Sequence, residues 1–302
     1  MNSSFFISLF TIIFMIFLGY SFKRINFLKA DDVELLNKIV MNIALPCMIF
    51  QAIYAVNLDS LPSLCVLPII GVLTSFCIGI VAFFVLKVLK YDNKHLWSIV
   101  LCVIMGNTAF MGYPIVLGAF GNSGFVSAIF FDICTTVTFL LMSFLLIVIF
   151  GGSYKSAFIK AISLPPLWGL ILGILFNIFN IPIGDFVGNI VGDFAALTIP
   201  LIMLSLGLSI KFEGILDNKF TVIIVSFVKL FVYPLVALFI LLLFGVNGLN
   251  FDVVVLQSCM PTGMLALVLS ISYNLDFKLT SDCIFTDTLL SLLTIPLIIY
   301  LL

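Results

Sequence analysis

The chain has 302 residues, of which 63% are hydrophobic and only 9% are charged, and its formal net charge is −1. Soluble domains carry about 25% charged residues, so this composition excludes a soluble globular protein and predicts a polytopic membrane protein. The balanced charge gives no sign of a nucleic-acid partner. The lone histidine, His95, has no second ligand near it in sequence, so neither a metal nor a cofactor is expected.

Ten apolar stretches are long enough to cross about 30 Å of hydrocarbon, which takes about 20 helical residues each. The predicted fold class is therefore an all-α polytopic membrane protein with ten transmembrane helices. The predicted spans are residues 5–22, 35–56, 64–86, 96–119, 125–150, 161–180, 187–210, 220–244, 252–273 and 281–301.

Positively charged residues set the orientation, because lysine and arginine near span ends stay on the cytoplasmic side. Twelve of the thirteen lysine and arginine residues lie in or beside the connections that follow spans one, three, five, seven and nine. We therefore expect a multi-pass protein of the plasma membrane with both termini outside. The exception is Lys229.

The two halves of the chain have five predicted spans each, so a second copy of the first half would enter the membrane from the opposite face. Short matches support such an inverted repeat of residues 1–155 and 156–302. Span five begins Ile129-Phe130-Phe131-Asp132, and span ten begins Ile284-Phe285-Thr286-Asp287. We predict two inverted five-helix repeats.

Spans four and nine are interrupted at corresponding positions. Span four contains Gly106–Pro114, and span nine contains Gln257–Gly263 with Pro261. Proline removes a backbone donor and glycine weakens a helix, so both spans are predicted to break, and the breaks to meet at mid-membrane. Such breaks are tolerated only where protein buries them or they line a watery cavity, and paired breaks indicate a transporter site.

Two carboxamides precede these prolines by a few residues. Asn107 lies before Pro114, and Gln257 lies before Pro261. Each offers donors and acceptors that can contact substrate or cap the broken backbone. Asn42, four residues before Pro46, has a similar but weaker pattern.

Lys229 lies about halfway along span eight, where a charge costs about 2.5 to 3.5 kcal/mol on insertion scales. We expect it to face protein or water and to have a partner, either in a functional site or in a buried structural pair. The alternative is snorkelling to an interface, but the distance from the centre is long.

Asp132 and Asp287 lie about two turns inside opposite ends of spans five and ten, as an inverted repeat requires. A desolvated carboxylate suits proton coupling, whereas beside a bound cation it stays charged. The alternative is a structural role, with hydrogen bonds to neighbouring hydroxyl groups such as those of Thr135 or Thr288.

The remaining motifs indicate structure rather than catalysis. No zinc helix, nucleophile elbow or phosphate-binding glycine loop is present, so an enzyme is not expected. Gly169 and Gly173 form a small-xxx-small pair, which is typical of close helix packing.

With these motifs, the chain resembles the auxin efflux carrier family, in its compact prokaryotic branch. The likeness covers essentially the whole chain. Its motifs are Asn42–Pro46, Gly106-Asn107 with Gly112–Pro114, Leu204–Gly207, Lys229–Pro234 and Met260–Gly263.

The resemblance implies that helices four and nine cross at their breaks, beside the binding pocket. It implies a scaffold domain from residues 5–56 and 161–210 and a transport domain from residues 64–150 and 220–302. The related bile-acid sodium symporter architecture holds sodium at a similar crossing, although this chain lacks the glutamate expected there. The candidate substrate-binding residues are Asn107, Tyr113, Pro114, Lys229, Gln257, Pro261 and Thr262, and the ion-coupling candidates are Asn42, Asp132 and Asp287.

Characterised members of the family move organic anions, auxin in plants and dicarboxylates such as malate in some bacteria. The first hypothesis is therefore a secondary transporter for a small organic anion that works by alternating access, driven by a proton or sodium gradient. The second is a channel or ligand sensor that uses the same pocket without coupled transport. Beyond the bilayer and these ligands, a homodimer stays an open alternative.

Overall fold

A computed structural model describes residues 3–29, 31–57, 61–209 and 219–302. These residues form helices and no strand, which confirms the all-α class. The end of the predicted span 187–210, and Lys211 among the predicted cytoplasmic lysines, lie outside the described residues. In chain order the helices are α1 (Ser3–Arg24), α2 (Asp32–Ile39), α3 (Leu45–Tyr54), α4 (Leu61–Leu64), α5 (Val66–Val88), α6 (Asn93–Ile104), α7 (Tyr113–Phe150), α8 (Tyr154–Ile162), α9 (Pro165–Ile178), α10 (Asp185–Ala196), α11 (Thr198–Ser209), α12 (Lys219–Phe227), α13 (Tyr233–Leu243), α14 (Leu249–Ser258), α15 (Met264–Ser272) and α16 (Phe277–Leu301).

The described residues contain six helical runs that are long and apolar enough to cross a membrane, and a seventh if α8 and α9, bent by 56°, count as one. The six runs are Asp32–Tyr54, Leu61–Val88, Thr108–Phe150, Asp185–Ser209, Lys219–Leu243 and Phe277–Leu301. Helices α6, α14 and α15 have 12, 10 and 9 residues, so none of them crosses alone. Within α7, the non-helical backbone of Gly121 (φ 66°) divides the run where predicted spans four and five were separated.

The chain forms two compact units. The first comprises Met1–Pro62, Leu117–Val126 and Ile162–Glu213. In it α1 packs on α11, and α3 packs on α9 and α10. Glycines make these approaches close: a Cβ on Gly207 would overlap the Ile16 carbonyl oxygen, and one on Gly169 would lie 2.5 Å from the Pro46 carbonyl oxygen. The predicted packing role of Gly169 and Gly173 is confirmed, because both face α3 backbone or side-chain atoms within 3.1 Å of such a Cβ.

The second unit comprises Ser63–Val116, Ser127–Ala161 and Gly214–Leu302. Its core is built around α6, in which every residue from Leu96 to Ile104 is buried. Helices α5, α15 and α16 pack on α6. A helix apolar on all faces must be enclosed by protein or lipid, and here protein encloses it.

Three π-helical turns precede α3, α7 and α13. They are Val40–Ala44, Thr108–Gly112 and Val228–Val232, and each is followed by a helix with proline at its second residue. The proline ring crowds the carbonyl of the preceding turn, and an extra residue in that turn relieves the crowding. Two of the three turns contain candidate site residues, Asn42 and Lys229, and Asn107 immediately precedes the third.

His95 joins the starts of two helices in the second unit. Asp92 caps α6 by accepting the backbone N–H groups of Lys94 and His95, and Asp276 caps α16 by accepting that of Leu279. The imidazole lies between them, with Nδ1 2.5 Å from Asp92 Oδ2 and Nε2 2.9 Å from Asp276 Oδ2. His95 therefore links the two capping carboxylates, and so the starts of α6 and α16.

Replacing Gly207 tests the helix packing of the first unit. A Cβ there would overlap the Ile16 carbonyl oxygen, so Gly207→Ala should force α1 from α11 and cost about 1 to 3 kcal/mol, as overpacking does. Thermal unfolding in detergent measures this. Gly192→Ala is the control, because its Cβ would lie an ordinary 3.6 Å from Gln51 Nε2. Equal midpoints for the two variants would contradict the packing assignment.

The Asp92 cap predicts a pH-dependent stability. The hydrogen bond from the His95 backbone N–H, aided by the imidazole, lowers the pKa of Asp92 below its usual value. The cap therefore contributes its full stabilisation of the folded state at pH values above the usual pKa range of a carboxyl group. This stabilisation is lost as the pH falls through the lowered pKa of Asp92. Asp92→Ala should lower stability by about 1 kcal/mol at pH 7, and less below about pH 4. Asp193→Ala, at an exposed position inside α10, is the control and should leave stability within about 0.5 kcal/mol of wild type.

Candidate functional site

The two helix breaks in the second unit pair with each other through their backbones. The Asn107 N–H donates to the Pro261 carbonyl at 2.7 Å, and the Gly263 N–H donates to the Met105 carbonyl at 2.9 Å. Gly106 and Thr262 lie opposite each other in an isolated antiparallel bridge. Each break thus satisfies polar groups that the other would leave bare in an apolar interior. We call this pairing of residues 105–107 with 261–263 the crossing.

Glycine lets the two backbones come this close. A Cβ on Gly263 would lie 2.5 Å from the Gly106 carbonyl oxygen. One on Gly106 would lie 3.5 Å from Lys229 Nζ, and one on Gly112 would overlap the Gln257 carboxamide. The Gly106 backbone fills the space beside Gly263, and the Lys229 and Gln257 side chains lie against Gly106 and Gly112.

Each break is also held by a threonine that hydrogen-bonds an aspartate of the next long helix. The Thr108 hydroxyl donates to Asp132 Oδ1, and the Thr262 hydroxyl lies 2.5 Å from Asp287 Oδ2. The two members of each pair are 24 and 25 residues apart in sequence. This near-equal spacing is what related halves of the chain would produce.

The two aspartates differ in how fully the protein satisfies them. Asp132 accepts from Thr108 on one oxygen and from the Tyr113 hydroxyl, at 3.0 Å, on the other. Asp287 is fully buried and has the Ser226 hydroxyl group beside it, but among the described residues its Oδ1 makes no hydrogen bond of good geometry. The first carboxylate is locked in place, whereas the second keeps one free oxygen.

Lys229 lies in the π turn before α13 and points at the crossing. Its Nζ is 3.4 Å from the Val103 carbonyl oxygen and 4.0 Å from the centre of the Tyr233 ring. The Tyr233 hydroxyl is held at 2.8 Å by Ser75, whose hydroxyl also lies 3.3 Å from the Ile104 carbonyl oxygen. The cation is thus held by a carbonyl and an aromatic face.

Several buried polar groups at the crossing have no partner in the part of the chain that the structure describes. Both carboxamide atoms of Gln257 are among them, although its side chain is only 1% exposed. The Ser258 hydroxyl group has no partner either. The Asn107 carboxamide caps no helix end. Buried groups of this kind cost about 1 to 3 kcal/mol each when left unpaired, and they are available to a polar ligand.

The structure brings nearly all predicted site residues into the second unit. Pro261 and Thr262 form one side of the crossing, Asn107 pairs with Pro261, and Tyr113 holds Asp132. Pro114 is buried at the start of α7, two residues beyond Gly112, against which Gln257 lies. Asn42 is different: it belongs to the first unit, is exposed, and donates to the Lys38 carbonyl oxygen at 2.7 Å.

Sequence reasoning missed three contributors. Thr108 lies beside Asn107 but gave no separate signal, and Tyr233 was visible only as part of Lys229–Pro234. Ser75 is 158 residues from Tyr233, so no local pattern could have linked them.

Comparison with known proteins gives a consistent result. A family described as "Membrane transport protein" matches residues 4–155 and 149–299. An uncharacterized transporter of Methanothermobacter thermautotrophicus is 37% identical over 287 residues, covering 95% of each chain. The uncharacterized transporter MJ1031 of Methanocaldococcus jannaschii is 33% identical over 292 residues, again covering 95% of each. The uncharacterized transporter YfdV of Escherichia coli is 24% identical over 310 residues, covering 96% and 95%.

Gly263 tests the backbone pairing. Because an added Cβ would meet the Gly106 carbonyl oxygen at 2.5 Å, Gly263→Ala should part the breaks and lower stability by about 1 to 3 kcal/mol. Thermal unfolding in detergent measures it, beside Gly188→Ala, whose Cβ meets nothing within 4 Å. Wild-type stability in Gly263→Ala would show that the breaks do not depend on this contact.

Proposed function

The chain belongs to the membrane transport protein family, which is auxin efflux carrier-like, and from that premise we propose that it is a secondary transporter for a small organic anion. Membership makes the protein a membrane transporter rather than an enzyme. The proposed substrate class is organic anions, the proposed coupling is to an ion gradient, and the proposed mechanism is alternating access. Auxin-like acids and dicarboxylates such as malate are the substrates that the family resemblance suggests.

The observation that carries the proposal is the unpartnered Gln257 carboxamide, with the Asn107 carboxamide, beside a buried cation. Gln257 has no hydrogen-bond partner among the described residues, and the Asn107 carboxamide caps no helix. Lys229 is 1% exposed and lies next to the same crossing. Carboxamides can hold carboxylate or hydroxyl oxygens, while the ammonium group supplies the opposite charge.

The helix starts at the crossing add positive potential. The π turn that leads into α7 begins at Thr108, and α15 begins at Met264. The positive ends of both helix dipoles therefore lie beside the breaks. Together with Lys229 they favour an anion over a cation as the substrate.

Alternating access needs one part of the protein to move relative to another. We propose the scaffold as residues 5–56 and 161–210 and the transport domain as residues 64–150 and 220–302, as two inverted five-helix repeats. The division of contacts into two units supports this assignment, and the matching Thr108–Asp132 and Thr262–Asp287 pairs support the repeat. The lysine and arginine distribution supports external termini in the plasma membrane.

A channel or a ligand sensor is the alternative, since either would use the same residues at the crossing without coupling. Counterflow in proteoliposomes separates them: unlabelled carboxylate inside should draw labelled carboxylate inward through a carrier but not through a pore. The probes are malate, lactate, citrate and indole-3-acetate. Absence of counterflow with the whole set would remove the proposal.

Asn107→Ala should abolish counterflow of the best probe while leaving the thermal midpoint without ligand within a few degrees of wild type. Binding at about 100 times Kd stabilises wild type by about 2.7 kcal/mol, and this gain should vanish in the variant. Asn189→Ala, an exposed residue of α10, is the matched control and should transport normally. Full transport by Asn107→Ala would contradict the site assignment.

A further inference from the structure

Lys229 and Asp287 are two buried, oppositely charged groups that form no ion pair. Asp287 is 0% exposed and Lys229 is 1% exposed. The carboxylate uses Oδ2 to accept from Thr262, and the ammonium has one long hydrogen bond, of 3.4 Å, to the Val103 carbonyl. They lie close enough to interact electrostatically, but among the described residues no salt bridge joins Lys229 to a carboxylate.

Burying two opposite charges without direct contact costs free energy, unless another charged group binds between them. Two separated buried charges lose their hydration and recover only part of that free energy through long-range attraction. An ammonium group has three donors, and among the described residues Lys229 meets only the Val103 carbonyl oxygen and the face of the Tyr233 ring. Ser226, in α12 and three residues before Lys229, lies beside Asp287, but neither its hydroxyl group nor Asp287 Oδ1 makes a hydrogen bond of good geometry among the described residues. The arrangement has unused capacity for one anionic oxygen at Lys229 and for one proton at Asp287.

We propose that Asp287 binds one proton for each substrate carboxylate that binds at Lys229. The inference rests on the proposed transport function and names its coupling ion. In the absence of substrate, the ionised Asp287 balances the Lys229 ammonium across the gap. When a substrate carboxylate binds beside Lys229, the substrate carboxylate and the Asp287 carboxylate would share one ammonium group. Asp287 then takes a proton from water on Oδ1 and becomes a neutral carboxylic acid. When the substrate leaves, Asp287 releases that proton to water and is ionised again.

The surrounding groups favour a proton over sodium. Hard metal cations need several oxygen ligands, and the adjacent ammonium group would repel one. The ionisable groups facing the pair are the Tyr233 phenol and the thiols of Cys102, Cys134, Cys259 and Cys283. None of these is a second carboxylate. Asp132 is a poorer proton acceptor, because Thr108 and Tyr113 already donate to both of its oxygens.

The first test uses wild-type protein in proteoliposomes that contain a pH-sensitive dye, with the membrane potential clamped. The probe is whichever of malate, lactate, citrate and indole-3-acetate gives the fastest counterflow. Net entry of that probe should carry one proton per molecule. Counterflow without proton entry would overturn the inference while leaving the transport function standing. Absence of counterflow with all four would remove both.

The second test is Asp287→Asn, whose neutral carboxamide mimics the protonated acid. Probe counterflow should persist, whereas net entry should lose its proton and a pH gradient should no longer drive accumulation. Asp193→Asn, exposed on α10, is the control and should retain both activities. Asp287→Glu restores a titratable group and should recover part of the proton coupling. Undiminished proton entry in Asp287→Asn would overturn the assignment to Asp287.

Discussion

The hydrogen bonds from Asn107 to Pro261 and from Gly263 to Met105 are the constraint on which the second unit depends. Lipid cannot hydrogen-bond to an exposed backbone, so a helix can break in an apolar interior only where other protein groups bond to its free N–H and C=O groups. Here the second broken helix provides those groups. This requirement explains why glycine lies at the contact: at Gly263, even a methyl group would meet the Gly106 carbonyl at 2.5 Å. The interruption that weakens each helix alone becomes a stable element when the two are paired.

Two threonine side chains connect this pairing to the surrounding helices. The Thr262 hydroxyl lies within hydrogen-bonding distance of both the Cys102 carbonyl oxygen and Asp287, so it joins the crossing to two helices. Thr108 joins the other break to Asp132 in the same way. The two sides then diverge: one carboxylate is fully occupied by donors, and the other shares its surroundings with a lysine. Two similar threonine–aspartate pairs thus carry an asymmetric distribution of charge, which gives the two breaks different chemical capacities.

Much of this arrangement was predictable from local sequence. The positions of the breaks followed from glycine and proline, and the burial of Lys229 against protein followed from the cost of a charge in an apolar span. The Ser75–Tyr233 support beneath Lys229 and the free oxygen of Asp287 were not predictable, because each depends on residues brought together from distant parts of the chain. Asn42 shared the motif of the other candidates, yet its exposure and its partner Lys38 depend on the unit in which it lies. Hydropathy also did not predict that α6, α14 and α15 are too short to cross a membrane alone, since an apolar run does not show where its backbone stops being helical.

The π turn at Val228–Val232 has a consequence for the aim of the lysine side chain. One extra residue in a helix rotates everything before it by about 100° relative to everything after it. Pro234 crowds the preceding turn and so keeps the extra residue in place. Pro234, five residues after Lys229, therefore fixes the rotation of the helix that points Lys229 toward Val103 and the Tyr233 ring. The direction of the ammonium group is encoded in backbone geometry, at a residue that has no charge of its own.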